Sequence, residues 1–418
     1  MTDRPAAGPF LRAFGRIGLL SFGGPAAQIA VMHRILVAET RWLGERTFLQ
    51  ALSFCMLLPG PEAMQLATYA GWRLRGIAGG LVAGALFVLP GAAVMLGLAL
   101  AYAAYGQTPT VERLFLGIKA AVLVIVLAAL RKVAARALAR PAHWGLAVAA
   151  FVALFFLALP FPLVILVAAG IGAVLGGEAG VERPAGAAPW RASLAVLGGG
   201  AVVWLGPLLL LDGILREIGL FFAGLAVVTF GGAYAVLAWM AQDAVTTLGW
   251  LSAGEMMDGL GLAETTPGPL ILVTQFVGTL AAHAEGGWPL ALAGAAVTLW
   301  ATFVPCYLWI FAGAPHIERL SAMPRLSGAL TGITAAVVGV IANLSVWFAL
   351  HVLFAEVARQ TVGPLVLWTP DLGTLDPRVP GLALVAAVMV WRGAGLGITL
   401  VVAAALGWIV TAFGGPMS

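Results

Sequence analysis

Charged residues are scarce in this chain, which excludes the class of soluble globular domains. Asp, Glu, Lys and Arg make up 10% of the 418 residues, whereas about 25% is typical of a soluble domain. Lysine occurs only at Lys119 and Lys132, and hydrophobic residues make up 61% of the chain. This composition indicates a polytopic membrane protein that lies in a lipid bilayer. The net charge of +4 is small for this length and does not indicate a nucleic acid partner.

Cysteine is scarce as well, so neither a disulfide framework nor a metal cluster is indicated. The two cysteines, Cys55 and Cys306, lie in apolar segments beside prolines, where cysteine most often packs as a small apolar residue. The sequence has no Gly-x-x-x-x-Gly-Lys-Ser/Thr stretch for ATP hydrolysis. It also lacks a Ser/His/Asp constellation, paired carboxylates and the spacing of metal ligands. We therefore expect no cofactor, no metal and no enzyme activity.

The chain contains an internal duplication. A shift of 208 positions pairs Phe14 with Phe222, Ser-Phe-Gly-Gly at 21–24 with Thr-Phe-Gly-Gly at 229–232, and Pro-Gly-Pro at 59–61 with Pro-Gly-Pro at 267–269. After a short insertion the shift becomes 215 and pairs Pro90 with Pro305. Chance does not keep one register over so many separate matches, so the sequence predicts two repeats.

Long apolar segments predict the membrane helices, because a crossing takes about 20 apolar residues. The predicted segments are 10–33, 47–72, 79–105, 113–138, 143–158, 160–176, 191–211, 218–240, 250–283, 288–312, 326–354, 380–391 and 393–413. We predict a first repeat at 1–176, a linker with one connecting helix at 177–213, and a second repeat at 214–418. Residues 355–379 are predicted to form a polar loop.

Equivalent loops of the two repeats carry opposite charge tendencies. The loop 131–140 is strongly basic, whereas its counterpart 355–379 contains more acidic residues. Arg73 and Arg75 of the first repeat correspond to a loop that holds Glu285. By the positive-inside rule, equivalent loops then lie on opposite sides of the membrane. The predicted fold class is all-α, a polytopic membrane protein built from two inverted-topology repeats with broken or re-entrant helices.

The two Pro-Gly-Pro motifs break the helices in which they lie. Proline removes a backbone N–H and disfavours helical angles at the residue before it. In a membrane, broken helix is tolerated only inside protein or beside a wet cavity, and a pair of breaks at matching places in two repeats points to a transport site. Each segment is either one broken span or a hairpin that enters and leaves on the same side.

The residues after each break, and after each Gly-Gly pair, predict an anion site. A helix start exposes unpaired N–H groups and a partial positive charge, and Pro25, Pro61 and Pro269 are suited to the first position of a helix. The alternative is that the glycines only allow close helix packing. The candidate substrate-binding residues are Ser21, Phe22, Gly23, Gly24, Pro59, Gly60, Pro61, Thr229, Phe230, Gly231, Gly232, Thr265, Thr266, Pro267, Gly268 and Pro269.

Three ionisable residues within apolar stretches are further candidates, because such residues are costly in a membrane. Glu62 and Glu264 flank the two breaks at positions that are not equivalent. Either carboxyl group could carry a coupled proton or cap a helix start. Lys119 could attract an anion, or its long stem could extend to the membrane interface.

Five motifs resemble those of the chromate ion transporter (CHR) family in its long, fused, two-domain form. They are Ser-Phe-Gly-Gly-Pro-Ala at 21–26, Leu-Leu-Pro-Gly-Pro at 57–61, Thr-Phe-Gly-Gly-Ala-Tyr at 229–234, Gly-Leu-Ala-Glu-Thr-Thr-Pro-Gly-Pro-Leu at 261–270 and Thr-Phe-Val-Pro-Cys at 302–306. The resemblance covers nearly the whole chain apart from the linker and the loop 355–379.

The resemblance implies a secondary transporter that exports chromate across the bacterial inner membrane and so gives chromate resistance. We expect alternating access, with the two halves rocking around a mid-membrane oxyanion site. Sulfate, another tetrahedral dianion, is an alternative substrate of a general oxyanion carrier. A non-transporting membrane scaffold is the alternative from another class, and a homodimer stays open.

Overall fold

The computed structural model describes residues 4–176, 190–230, 233–317 and 323–413. Among these residues, six helices are long and apolar enough to cross a membrane. They are Glu62–Tyr105, Pro109–Ala137, Trp190–Leu209, Leu270–His316, Pro324–Leu353 and Leu396–Phe413. The predicted class, a helical polytopic membrane protein, is confirmed.

The helices of the two repeats follow the same order. The first repeat forms α1 (Ala7–Leu20), α2 (Gly24–His33), α3 (Glu45–Cys55), α4 (Glu62–Tyr105), α5 (Pro109–Ala137), α6 (Pro141–Phe155) and α7 (Phe161–Leu175). The second forms α9 (Gly213–Val227), α10 (Ala233–Gln242), α11 (Ala253–Thr265), α12 (Val273–Gly313), α13 (Pro324–Leu353), α14 (Arg378–Trp391) and α15 (Leu396–Phe413). Helix α8 (Trp190–Leu209) lies between them in the chain.

The correspondence extends to irregular backbone. A π-helical turn follows α2 at Arg34–Glu39, and another follows α10 at Asp243–Thr247. Because π-helical turns are rare, their recurrence at matching positions indicates that the two repeats share the same backbone structure. The prediction of two repeats is therefore confirmed by details that the residue motifs alone did not contain.

Helix α4 turns back on itself soon after the first Pro-Gly-Pro break. Arg75 and Gly76 have non-helical backbone angles, with φ of −139° and +67°. Past this turn the two parts of α4 pack against each other so closely that a Cβ on Gly71 would overlap the carbonyl oxygen of Gly79. The part before the turn, 62–74, is only about 20 Å long at 1.5 Å per residue, which is less than a full crossing needs.

Helix α12 repeats this turn. Gly286 and Gly287 are non-helical, with φ of −151° and +68°. Beyond them Gly294 meets Gly278, where an added Cβ would lie 2.5 Å from the Gly278 carbonyl oxygen. The predicted breaks at Pro-Gly-Pro are confirmed in both repeats, because α3 ends at Cys55 before α4 begins at Glu62, and α11 ends at Thr265 before α12 begins at Val273. The choice between a hairpin and a broken span stays open.

The chain divides into two compact units, and each contains segments of both repeats. The first unit consists of Met1–Ala99, Gly176–Ala233 and Thr266–Gly328, and the second of Leu100–Leu175, Tyr234–Thr265 and Ala329–Ser418. In the first, α12 packs on α8 and α9, and the Trp204 indole N–H donates to the carbonyl oxygen of Ala301 at 3.0 Å. In the second, α5 packs on α14 and α15. The repeat and linker boundaries stay a prediction.

The prediction of a polar loop at 355–379 was wrong. Two antiparallel strands, β1 (Val357–Val362) and β2 (Leu365–Pro370), form a hairpin there. Gly363, with φ of +59°, takes the first position of the two-residue turn, which glycine favours because it has no Cβ. The N–H of Val366 donates to the carbonyl oxygen of Phe156 at 2.7 Å and so holds the hairpin on the end of α6.

Candidate functional site

The two Pro-Gly-Pro breaks are hydrogen-bonded across the repeats. The N–H of Gly60 donates to the carbonyl oxygen of Thr229 at 2.8 Å, and the N–H of Gly268 donates to that of Ser21 at 2.8 Å. The donors Gly60 and Gly268 occupy equivalent positions in the two repeats, and so do the acceptors Thr229 and Ser21. In each bond the donor belongs to one repeat and the acceptor to the other. The first unit therefore has an internal, approximately two-fold arrangement, in which each break is tied to the end of the other repeat's first helix.

The side chains of the two accepting residues also correspond. The Ser21 hydroxyl donates to the carbonyl oxygen of Ile17, and the Thr229 hydroxyl donates to that of Leu225, both at 2.6 Å. Ser21 and Thr229 are buried. Each hydroxyl thus satisfies an orphan carbonyl at a helix end, and this bond fixes its proton away from any ligand.

A small cavity in the first unit is surrounded by helix starts. It is lined by Pro25, Gln28, Gly60, Pro61, Glu62, Ala63, Thr229, Pro269, Leu270 and Ile271. Pro25 is the second residue of α2, Pro61 precedes α4, and Pro269 precedes the 3₁₀ turn Leu270–Leu272 that leads into α12. The cavity volume is about 20 Å³, which is enough for one water molecule.

Several predicted site residues therefore lie together, and others do not. Gly60, Pro61, Thr229 and Pro269 line the cavity. Gly231 and Gly232 lie outside the described residues. The remaining candidates from the two motifs are not among the lining residues: Ser21, Phe22, Gly23, Gly24, Pro59, Phe230, Thr265, Thr266, Pro267 and Gly268. Of these, Phe22 is 48% exposed, and the Thr265 hydroxyl donates to the carbonyl oxygen of Leu262 at 2.7 Å.

Sequence reasoning missed Gln28. Its amide Nε2 donates to the carbonyl oxygen of Gly268 at 2.7 Å, and its side chain lines the cavity. The residue is 1% exposed, and its Oε1 has no hydrogen-bond partner among the described residues. The signal available in the sequence was a lone amide one turn after the Gly-Gly-Pro motif. Its second-repeat counterpart at the same shift is Val236, so the repeat comparison did not draw attention to it.

Lys119 pairs with a carboxylate that sequence reasoning also missed. Its ammonium lies 3.4 Å from Asp258 Oδ2, and the Tyr102 hydroxyl donates to the same oxygen at 2.7 Å. These three residues belong to the second compact unit, whereas all the lining residues of the cavity belong to the first. The ion pair is an alternative to the two roles predicted for Lys119.

The two candidate carboxyl groups have different surroundings. Glu62 lines the cavity at the first turn of α4, where the helix start favours negative charge. Glu264, near the end of α11, accepts a hydrogen bond of 2.7 Å from the Tyr234 hydroxyl. Over the described ranges, no group of three or more His, Cys, Asp or Glu residues is placed to hold a metal ion.

The paired helix breaks, the repeats and the membrane-crossing helices together define a multi-pass membrane protein of the transporter class. The sequence profile of the chromate transporter family matches residues 9–173 and 216–409, one region in each repeat. The chain belongs to the chromate transporter family.

Individual relatives agree with this assignment. The chain is 31% identical over 409 residues to the chromate transport protein of Pseudomonas aeruginosa, covering 95% of this chain and 91% of that one. It is 28% identical over 409 residues to a probable chromate transport protein of Synechococcus elongatus, covering 90% and 94%. It is 31% identical over 338 residues to the chromate transport protein of Cupriavidus metallidurans, covering 78% and 79%. No solved structure matches the chain.

Proposed function

We propose that the protein exports chromate from the cytoplasm across the bacterial inner membrane, by alternating access around the cavity between the helix starts. Family membership supports chromate as the substrate. The observation that supports the position of the site is the convergence of the starts of α2, α4 and the segment leading into α12 on one cavity. Orphan N–H groups at these starts replace the water that the anion loses.

The small volume of the cavity supports a mechanism in which the lining moves. A space of about 20 Å³ holds one water molecule, and a tetrahedral oxyanion is larger. The anion therefore enters only when the lining residues move apart. The exchanged hydrogen bonds from Gly60 and Gly268 are the natural contacts to open, because each lies at a glycine that tolerates large backbone changes.

The membrane potential can drive export. Moving one charge through 100 mV is worth about 2.3 kcal/mol, so an anion with two charges leaving toward the positive outside gains about twice that. A counter-ion is then not required for net export. Glu62 stays the candidate for a coupled proton because it lines the cavity.

Flux measurements on the purified protein in liposomes test the proposal. We expect labelled chromate to cross only vesicles that contain the protein, and to do so faster when the potential is positive on the side toward which chromate moves. Equal flux with the potential collapsed would contradict the proposal that the membrane potential drives export. The absence of chromate flux would contradict the proposed function. Competition by sulfate in the same assay decides between a chromate exporter and a general oxyanion carrier. The molar mass of the detergent-solubilised protein tests whether it forms a homodimer.

A further inference from the structure

An apolar groove lies between helices α5, α6 and α13. Its volume is about 400 Å³, and every residue that lines it is apolar and belongs to the second compact unit. Helix α5 contributes Leu130, Ala134 and Leu138, whose four-residue spacing places them on one face of the helix. Helices α6 and α13 touch directly, since a Cβ on Gly339 would overlap the carbonyl oxygen of Ala147. The groove is therefore a concave surface framed by three packed helices.

A second cavity extends the groove along α5 and α13. Its volume is about 230 Å³, and Val346 lines both cavities. On α5 the lining runs from Leu138 back to Leu123, which is about 22 Å at 1.5 Å per residue. Half of the hydrocarbon core of a bilayer is about 15 Å thick. The extended groove is therefore long enough to hold the acyl chains of a phospholipid from one leaflet.

Two arginines flank one end of the groove. Arg131 follows the lining residue Leu130, and Arg140 lies in the chain between the lining residues Leu138 and Trp144. Both arginines are exposed, and no ion pair within the described part of the chain involves either of them. Trp144 is 57% exposed, and tryptophan is typical of the interface between membrane and water. This end of the groove therefore lies near the lipid head groups and carries unpaired positive charge.

The helices around the groove bring no carboxylate near the two arginines. Helices α6 and α13, and α14 and α15 that pack on α5, contain no Asp or Glu. Helix α5 contains only Glu112, in its first turn, which lies about 28 Å from Arg131 along the helix. Helix α11 has carboxylates, but its Gly261 meets α5 at Ile118, about 20 Å from Arg131. Since the Debye length is about 8 Å at physiological salt, the positive charge at this end stays available for a ligand.

We infer that this groove binds a diacyl phospholipid with an anionic head group. The lipid phosphate lies between Arg131 and Arg140, because a guanidinium group donates two parallel hydrogen bonds to phosphate oxygens. The acyl chains fill the groove between α5, α6 and α13. The positive-inside rule puts the basic loop 131–140 on the cytoplasmic side, so the lipid belongs to the cytoplasmic leaflet. The inference names a partner of the protein and does not depend on the transported anion.

The same end of α5 supplies a matched pair of control residues. At about 100° per residue, Arg131 lies about 60° from the centre of the apolar stripe. Lys132 and Arg136 lie about 160° from it, on the far side of the helix. Both are exposed, and neither forms an ion pair with any residue that the structure describes. Substituting these two residues removes the same charge without touching the groove.

Native mass spectrometry of the purified full chain in detergent measures lipid binding. Dioleoyl phosphatidylglycerol and dioleoyl phosphatidylcholine have the same acyl chains but differ in head-group charge. We expect the wild type to bind phosphatidylglycerol at least about tenfold more tightly. The double variant Arg131→Gln, Arg140→Gln should lose this preference. Lys132→Gln, Arg136→Gln should keep it within about threefold, because the width of a helix, about 10 Å, exceeds the Debye length of about 8 Å.

A second pair of variants tests the apolar part of the groove. Val346→Trp fills the place where the two cavities meet, and we expect it to weaken phosphatidylglycerol binding by at least about tenfold, because several methylene groups of the lipid lose their burial. Val385→Trp on α14 is the control. Val385 is 41% exposed and Val346 is 38% exposed, but Val385 lines neither cavity. Val385→Trp should bind the lipid as the wild type does.

The wild-type measurement decides the inference even if a variant fails to fold, since equal affinity for the two lipids overturns it. Equal losses in the two charge variants would assign the preference to diffuse surface charge and reject the site. Competition by glycerophosphoglycerol, the head group without acyl chains, would show a phosphate site that does not use the groove. Dimers that carry no lipid and dissociate in Val346→Trp would assign the groove to a second copy of the chain. Each of these results rejects the inference and leaves the proposed chromate transport to its own flux assay.

Discussion

The backbone N–H of Gly60 donates to the carbonyl oxygen of Thr229 at 2.8 Å, which ties the first Pro-Gly-Pro break to the first helix of the second repeat. The exchanged bond, from Gly268 to Ser21, has the same length. In both repeats, the N–H of the central glycine of the break therefore donates to a carbonyl oxygen of the other repeat. Each break therefore depends on the other copy of the repeat, since a single copy would leave the N–H of its central glycine without this acceptor.

The first prediction concerns the helix that supports the second break. A Cβ on Gly91 of α4 would overlap the carbonyl oxygen of Pro267, whereas a Cβ on Gly97 of the same helix meets none of the described atoms within 4 Å. We expect Gly91→Ala to push the break away, to destabilise the protein by about 1–3 kcal/mol and to reduce chromate flux. Gly97→Ala should be neutral or slightly stabilising. Thermal unfolding in detergent and liposome flux measure both effects, and equal behaviour of the two variants would contradict the packing argument.

The second prediction concerns the Lys119–Asp258 ion pair. The Asp258 side chain is 5% exposed, so Lys119→Met leaves a buried, uncompensated charge and should destabilise the protein by about 3–5 kcal/mol. The double variant Lys119→Met, Asp258→Leu should recover much of this loss, because no buried charge remains. Thermal unfolding of the two single variants and the double variant gives the coupling between the residues.

The other lysine is the control for this pair. Lys132 is exposed, and Lys132→Met should change the free energy of unfolding by at most about 0.5 kcal/mol. Chromate flux that the double variant retains would mean that Lys119 has a structural role. Flux that is lost in a stable double variant would instead support the role of Lys119 in attracting the anion.

The third prediction tests the inverted orientation of the repeats. Arg73 precedes the turn in α4 and Glu285 precedes the equivalent turn in α12, and both side chains are exposed. Cysteines introduced as Arg73→Cys and Glu285→Cys should react with a membrane-impermeant maleimide from opposite sides of sealed vesicles. The native Cys55 and Cys306 are buried, at 0% and 1% exposure, and should stay unlabelled. Labelling of both new cysteines from one side would mean that the repeats are parallel.

The fourth prediction concerns pH and the segment that follows the β-hairpin. Asp376 accepts hydrogen bonds from Nε and Nη2 of Arg378, both at 2.8 Å. Burial raises the pKa of Asp376, but the Arg378 hydrogen bonds outweigh it and hold the pKa below its usual value. The stabilisation is therefore complete above the ordinary aspartate pKa and is lost as the pH falls through the lowered value.

Amide hydrogen exchange over residues 354–378 measures this effect. We expect faster exchange below the lowered pKa in the wild type, and fast exchange at every pH in Asp376→Asn. Asp371→Asn is the control, because the Asp371 carboxylate accepts from the N–H of Gly373 and no arginine pairs with it in the described structure. Identical pH profiles for the wild type and Asp376→Asn would assign the effect to another group.

The repeats and their breaks could be predicted because proline and glycine act through their own backbone. Pro61 and Pro269 have no N–H to continue a helix, and Gly60 and Gly268 adopt φ of +118° and +86°, which other residues rarely take. Such effects do not depend on distant neighbours. The effects of proline and glycine on the backbone can therefore be predicted from the sequence without knowledge of the tertiary contacts.

Gln28 and Asp258 could not be predicted as members of their clusters, because their roles depend on partners far along the chain. Gln28 meets Gly268, and Asp258 meets Tyr102 and Lys119. In an apolar helix each of these polar residues has many possible neighbours. Glu62, Glu264 and Lys119 could be predicted as candidates because placing a charged side chain in the membrane costs free energy. The sequence does not indicate which carboxylate Lys119 contacts.

By itself, the amino-acid sequence determined that this protein spans a membrane, that it repeats one plan twice, and that each copy breaks at Pro-Gly-Pro, since composition, register and backbone chemistry are properties of the chain alone. Only the tertiary structure decided that each break bonds to the other copy, that three helix starts surround one cavity, and that the buried Gln28 side chain lines this cavity. Those facts depend on contacts between residues about two hundred positions apart, and the folded packing of the helices decides which of them form.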